Sequence, residues 1–184
     1  DILSKKNFFG IKRQKKIDTE NRLYNKSLGG GAILDLGCYT ASVSILVASL
    51  ISKIDFNNIR LINKKKEYAS TGVDIDSYTE IKFENNFTSY IGASFIKNLG
   101  KKTEIIGSNG KIIIEDTWHG YPSVLTIINE TDNKIMIDTK ENIYFYEIDT
   151  LSKNILEDKK KPDFPGMTFD DSLVNMSIIQ EWLN

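Results

Sequence analysis

One cysteine and one histidine are all that this 184-residue chain carries of two chemically versatile residue types. A lone Cys38 excludes an internal disulfide and a cysteine-based zinc cluster. A lone His119 excludes a histidine-rich metal site, which disfavours a metal-dependent hydrolase. Charge of one sign is lacking too: 24 basic residues stand against 25 acidic ones, for a net charge of −1. That balance leaves no broad electrostatic footprint for nucleic acid. The basic runs Lys12-Arg13-Gln14-Lys15-Lys16, Lys64-Lys65-Lys66 and Lys159-Lys160-Lys161 read as solvated loops or helix ends. There is no long hydrophobic run. The stretch Leu36 to Ile51 is uncharged but holds Ser42, Ser44 and Ser49, and it falls short of the roughly 20 residues a membrane span needs. Asp1 to Gly10 has no apolar segment of signal-peptide type, so the expectation is a cytoplasmic protein without membrane contact. What remains is the make-up of an ordinary globular domain, 40% hydrophobic and 27% charged, long enough to bury a core. The chain opens without Met and stops straight after a helical pattern, as a piece cut from something longer would.

The pattern along the chain predicts one α+β domain over 1–184. Residues 1–28 are polar, with isolated apolar anchors at Phe8, Phe9, Ile11, Leu23 and Tyr24, and read as an arm or long loop. A helix is expected over 31–52. Val43, Leu46, Val47, Leu50 and Ile51 recur at helical spacing as its core stripe, and the small residues Cys38, Ser42 and Ser49 would allow close approach to a flat surface. Strands are expected over 59–139: Ile59–Asn63, Val73–Glu84, Phe87–Ile96, Thr103–Gly107, Lys111–Asp116, Ser123–Asn129 and Lys134–Thr139. Turn residues separate them, among them Asn85-Asn86 and Ser108-Asn109-Gly110. Such short loops imply a mostly antiparallel sheet, and Asn109-Gly110 between Ile-rich strands is a strong hairpin signal.

Helices close the chain over 143–184. Tyr144, Ile148, Leu151 and Ile155 share one spacing. Thr168 with Asp171 forms a variant capping box, and Phe169, Leu173, Met176 and Leu183 mark the expected buried face of the last helix. The pairs and triplets Ile105-Ile106, Ile112-Ile113-Ile114 and Ile127-Ile128 make several strands apolar on both faces, so helices on one face leave a second face to be covered.

The segment that carries chemistry is Gly29-Gly30-Gly31-Ala32-Ile33-Leu34-Asp35-Leu36-Gly37-Cys38-Tyr39. Asp35 and Tyr39 are four apart and share a helix face. A carboxylate beside a phenol can orient a hydroxyl and pass a proton. The phenol's reference pKa is about 10, and no cation sits inside the motif to lower it. Position alone equally allows Asp35 to serve the positive end of the helix dipole and Tyr39 to be a half-buried aromatic. The glycines permit unusual backbone geometry or close approach of a ligand, but they form no Gly-x-Gly-x-x-Gly fingerprint. Arg22 reads either as a contact to a substrate or phosphate or as an anchoring salt bridge. For His119, beside Trp118 and Tyr121, a loop or interface role outweighs catalysis. Cys38 reads as a packed thiol and Lys97 as a solvent-exposed cation.

The run Gly29 to Tyr39 resembles the Gly-Gly-Gly-Ala-aliphatic-x-Asp-x-Gly-x-(His/Tyr) motif of the glucose-fructose oxidoreductase / inositol dehydrogenase / rhizopine catabolism (Gfo/Idh/MocA) family. Gly107-Ser108-Asn109-Gly110-Lys111-Ile112-Ile113-Ile114 resembles its Gly-x-x-Gly-x-aliphatic hairpin, and Asp171-Ser172-Leu173-Val174-Asn175-Met176 its closing helix. Arg22-Leu23-Tyr24 also fits. The resemblance implies the C-terminal half of a two-domain enzyme, an α+β domain with a large, mostly antiparallel open sheet and helices packed on one face. The Rossmann half, absent from this sequence, would bind NAD or NADP and supply a catalytic Lys.

By the same resemblance Asp35 and Tyr39 are the catalytic pair, while Arg22, Gly30 and Gly31 line the substrate. Tyr in the last motif position is similar to the sugar-oxidoreductase and dihydrodiol dehydrogenase branches. The implied activity is NAD(P)-dependent oxidation or reduction of a sugar-like or cyclic polyol. The implied partner, besides the small-molecule substrate, is a second copy docked through the open sheet as a dimer or dimer-based tetramer. The rival from another class is a non-catalytic assembly or ligand-binding module built on the sheet.

Overall fold

A computed structural model of the chain describes residues 2–10, 17–53, 55–84 and 86–184. The basic run at 12–16, the anchor Ile11 and Asn85 of the Asn85-Asn86 turn lie outside the described residues. Eight strands form one sheet: β1 (Ile2–Gly10), β2 (Arg60–Tyr68), β3 (Asp74–Lys82), β4 (Thr88–Ser94), β5 (Thr103–Gly107), β6 (Gly110–Ile114), β7 (Ser123–Ile128) and β8 (Asp132–Ile137), in the order β2-β3-β4-β1-β5-β6-β7-β8. Every neighbour pair is antiparallel except β1 with β4. The helices are α1 (Cys38–Ile51), α2 (Ile143–Leu156) and α3 (Phe169–Leu183).

The first departure from the sequence reading is β1. The segment expected as an arm is instead a central strand, held between β4 and β5. Its middle, Lys5-Lys6-Asn7, hides the strand pattern because the inward-facing residues are polar. Lys5 and Asn7 are fully buried under α1, where Lys5 Nζ donates to Ser44 Oγ at 2.8 Å and lies 3.4 Å from the Thr40 carbonyl oxygen. Burial pushes the Lys5 amine well below its ordinary value.

Strand alternation and the registers then sort the two faces. Lys5 faces Ser89 and Ile105 across its neighbours, so Ile105, Ile112, Ile114, Leu125 and Ile127 belong to the helix side. Phe8, Tyr78, Tyr90, Ile106, Ile113, Val124, Ile128 and Met136 belong to the opposite side.

α1 meets the sheet through Thr40, Ala41, Ser44, Ile45, Val47 and Ala48, while Leu50 and Ser49 are exposed. The face expected from the large aliphatics is thus rotated. A helix lying flat on a sheet approaches more closely through small side chains, and Ser44 Oγ reaches Ser89 Oγ at 2.8 Å. α3 runs against α1 and buries Asn175, Ile178, Ile179 and Trp182. Phe169, Leu173 and Met176, expected inside, are exposed. The capping box is present, with Asp171 N–H donating to Thr168 Oγ1 and Thr168 N–H to Asp171 Oδ2. The core lies under α1 and α3, from Leu23 and Ile33 to Ile81, Phe87, Phe95 and Trp182. The helical run Lys26–Ile51 is long and apolar enough for a span by composition, but half of that window is buried inside the domain, as suits a core helix.

Candidate functional site

The site is built by the segment 21–39 folding onto the end of β3. Asn21 Oδ1 accepts from Leu23 N–H and starts a single 3-10 turn, Arg22–Tyr24. Asn25 does the same for Lys26–Leu28, which ends on Gly29 in the left-handed region at φ 71°. The chain then doubles back: Gly30 N–H donates to Asn25 O and Gly31 N–H to Leu23 O, both at 2.9 Å. A Cβ on Gly30 would stand 2.6–2.8 Å from the carbonyl oxygens of Arg22, Leu23 and Asn25. Gly31, at φ 122°, lies against the Asp74 carboxylate. These close approaches explain the glycines from inside the fold. They also bear on phosphate binding. Gly30 and Gly31 are buried and face carbonyl and carboxylate oxygens, acceptors that repel a phosphate rather than cradle it. The glycine run therefore does not fit the pyrophosphate of a dinucleotide.

Asp74 was invisible to sequence reasoning because it lies far along the chain. Its carboxylate accepts from Ile33 N–H at 2.8 Å and from Ser77 Oγ at 3.1 Å. It thereby receives backbone donors at the start of the motif helix. Burial raises its pKa while those hydrogen bonds oppose the rise.

The helix opens as a π turn, Ile33–Gly37, before α1 begins at Cys38. Such wide turns recur at functional positions, and this one carries Asp35. Gly37 fits here because a Cβ would come within 2.8 Å of the Trp182 ring. Arg22 Nη2 meets Asp35 Oδ1 at 3.0 Å, an ion pair from the preceding turn that serves the carboxylate and leaves the phenol without a lowering cation. Of the two readings of Arg22, the salt bridge is present. Tyr39 follows on the outer surface, 54% exposed. Its phenol is pushed above its ordinary value by partial burial first, then by the negative charges of its neighbours, among them Asp35 and, from α2, Glu147. A phenol so perturbed stays protonated at neutral pH, the form that can donate to a carbonyl oxygen.

Cys38, half-buried, has its thiol raised chiefly by burial. Lys97 is solvent-exposed, as expected, and it pairs with Asp76 and lies over the Tyr78 ring, 5.6 Å from its centroid. Among the described residues, no group of three His, Cys, Asp or Glu side chains is placed to hold a metal ion.

A family model described as the GFO/IDH/MocA C-terminal domain matches residues 4–113. The chain is 28% identical over 173 residues to trans-1,2-dihydrobenzene-1,2-diol dehydrogenase of Xenopus tropicalis, covering 88% of this chain and 48% of that protein. It is 29% identical over 100 residues to dTDP-3,4-didehydro-2,6-dideoxy-alpha-D-glucose 3-reductase of Saccharopolyspora spinosa, covering 53% of this chain and 27% of the other. In fold it is similar to a 3-ketoreductase from Actinomadura kijaniata solved with NADP and TDP-benzene. The TM-score is 0.76 at 16% identity, over 98% of this chain and 52% of that one. An aldose-aldose oxidoreductase from Caulobacter crescentus, solved with glycerol, gives 0.75 at 15% identity, over 99% and 52%. The chain spans about half the length of these relatives or less.

Proposed function

Because the chain belongs to the GFO/IDH/MocA C-terminal domain family, we propose that it is the substrate side of an NAD(P)-dependent oxidoreductase acting on a hydroxyl or carbonyl of a sugar-like or cyclic polyol. The observation that carries this reading is the pair at the start of the motif helix: Asp35, mostly covered and held by Arg22, and Tyr39 beside it with a raised, half-exposed phenol. The names of the relatives, a dihydrodiol dehydrogenase and a keto-sugar reductase, support the substrate class.

In this reading Asp35 accepts a hydrogen bond from a substrate hydroxyl and fixes the ring. In reduction, Tyr39 donates its phenolic proton to the carbonyl oxygen as that oxygen becomes an alcohol; in oxidation it takes the proton back. The dinucleotide is held by another domain, because the glycine run of this chain faces its own carbonyls. Gly30 and Gly31 then act through the backbone they shape, and Arg22 acts on Asp35, in place of direct substrate contact by all three. Calorimetry of the purified chain with NADPH or NADH tests the division of labour. No measurable heat is expected, and micromolar binding to the chain alone would overturn it.

The second part of the reading is assembly. On the open face, the half formed by β5 to β8 carries Ile106, Ile113, Val124, Ile128 and Met136 interleaved with Glu104, Lys111, Thr126 and Lys134, while the half formed by β1 to β4 carries Lys6, Tyr78, Glu80, Lys82 and Tyr90. An apolar strip of this kind favours a second copy docked in a two-fold contact, which hides both strips at once. The outcome is a dimer or a dimer-based tetramer.

A further inference from the structure

α1 meets the sheet through one side, and its side bearing Leu46 is covered differently. The connection between α2 and α3, residues 157–168, crosses that side and leaves a partly enclosed cavity of about 220 Å³. Its walls are apolar: Ile45 and Leu46 from α1, with Pro162, Phe164, Pro165 and Met167 from the connection. Ser42 of α1 and Asp171 of α3 give it a polar edge.

Close packing normally removes such a space, because a void forfeits contacts. Here the connection is held by bonds of its own. Lys159 N–H donates to the Asn154 carbonyl of α2 at 2.9 Å, and Lys159 Nζ bridges Glu157 Oε2 at 2.7 Å and Asp163 Oδ2 at 2.6 Å. Gly166 N–H donates to Asp163 O at 2.7 Å. That turn is tight enough that a Cβ on Gly166 would stand 2.8 Å from the same oxygen and from Pro162 Cβ. At the far end the capping box fixes Thr168, whose N–H and Oγ1 donate to Asp171 Oδ2 at 2.9 and 2.6 Å. A wall set in this way keeps the space open, as in pre-formed ligand pockets.

The lining decides what fits. A dry cavity of roughly 150 Å³ walled by Leu, Ile and Phe takes up benzene, so this one has room for a single ring with a small substituent. On the same helix, Ser44 and Ser49 turn their hydroxyls back onto the Thr40 and Leu46 carbonyls. The Ser42 hydroxyl makes no hydrogen bond among the described residues, so it can give one to a ligand hydroxyl or take one from it. The Asp171 carboxylate at the same edge disfavours an anion. A polyol would bury hydroxyls against Ile45, Leu46 and the prolines without partners, at a cost for each.

We propose that this cavity is a binding site for a small neutral ring carrying one hydroxyl, a phenol or a cyclic alcohol, with the ring among the apolar walls and the hydroxyl on Ser42. The site differs in chemistry from the Asp35–Tyr39 pair and does not rest on the reading of that pair.

The chain has three methionines, and two of them make the test internal: Met167 lines the cavity, while Met136 lies on the open face of the sheet. The chain, labelled in its methionine methyl groups, is titrated by NMR with phenol and, as controls, with toluene, benzoate and myo-inositol. The Met167 signal is expected to move with phenol along a saturable curve, with a dissociation constant of about 1 mM or tighter for so small a ligand, while Met136 stays still. Toluene should bind more weakly, and benzoate and myo-inositol should leave Met167 where it was. Ser42→Ala is expected to weaken phenol binding about three- to tenfold, the scale of one hydrogen bond, without changing that of toluene. Leu46→Trp, checked to melt as the parent does, fills the cavity and should abolish both. Met167 unmoved by phenol, both methyl signals moving together, or phenol binding that survives Leu46→Trp overturns the site. Equal loss of phenol and toluene in Ser42→Ala, or a Met167 shift with benzoate or myo-inositol, overturns the ligand class.

Discussion

Replacing the buried lysine of the central strand is expected to stabilise the domain, and to do so in a pH-dependent way. Lys5 has no solvent exposure, and its amine has one good partner, Ser44 Oγ at 2.8 Å, with the Thr40 carbonyl oxygen at 3.4 Å. Burial lowers its pKa in the folded state, whereas in the unfolded chain it returns to about 10.4. Between those two values the unfolded state binds a proton that the folded state does not, so folding carries a penalty that shrinks as pH rises towards the unfolded value. The limiting slope for one such proton is about 1.4 kcal/mol per pH unit. Lys5→Met keeps an unbranched side chain one atom shorter and removes the titration. The group left behind is not orphaned, because Ser44 Oγ still donates to Thr40 O at 2.6 Å and pairs with Ser89.

Replacement of a buried ion pair by apolar residues of similar volume is neutral or gains on the order of 1–4 kcal/mol, and a gain within that range is expected for this single buried amine at neutral pH. Urea unfolding of both proteins at several pH values from 7 to 10 measures the difference. The advantage of Lys5→Met should narrow as pH rises. Parallel profiles, or a variant less stable than the parent at pH 7, would refute the reasoning and mean that the Lys5–Ser44 hydrogen bond outweighs the cost of burying the amine.

Two other perturbations follow from the same geometry. Gly31→Ala places a side chain at φ 122° against the Asp74 carboxylate. A loss of roughly 1–3 kcal/mol from backbone strain alone is expected, read by thermal or urea melts, and an unchanged midpoint would mean that the turn has another conformation. Light scattering should find the chain as a dilution-resistant dimer or tetramer, and Met136→Glu on the exposed strip of β8 should dissociate it; a monomeric parent contradicts the proposed sheet contact.

Much of this was legible in the sequence because the signals were local. Thr103–Gly107 is a strand between the bounds expected for it, and the Thr168–Asp171 capping box forms as written. Alternation within Ile105-Ile106 and Ile112-Ile113-Ile114 does split them between the two faces. What failed depended on partners distant in sequence. β1 could not be read because its inward residues are a lysine and an asparagine, whose burial depends on α1. The last helix carries two apolar stripes, and contact with α1 and the motif turn, through Trp182 against Gly37 and Asn175 Nδ2 donating to Cys38 O, selects the one holding Ile178 and Ile179. At the site, the spacing of Asp35 and Tyr39 was visible. Asp74 beneath the glycines was not, nor was α2 beside the phenol, since neither lies within the motif.

The central claim is that Asp35 and Tyr39 serve a substrate oxygen. It is tested most directly by measuring kcat for Tyr39→Phe and Asp35→Asn in an NAD(P)-turning enzyme that contains this chain. Each substitution is expected to cut turnover by about a hundredfold or more while the affinity for the dinucleotide stays where it was. Near-parental turnover in both variants would contradict the account, and would return Asp35 to its ion pair with Arg22 and Tyr39 to a surface aromatic.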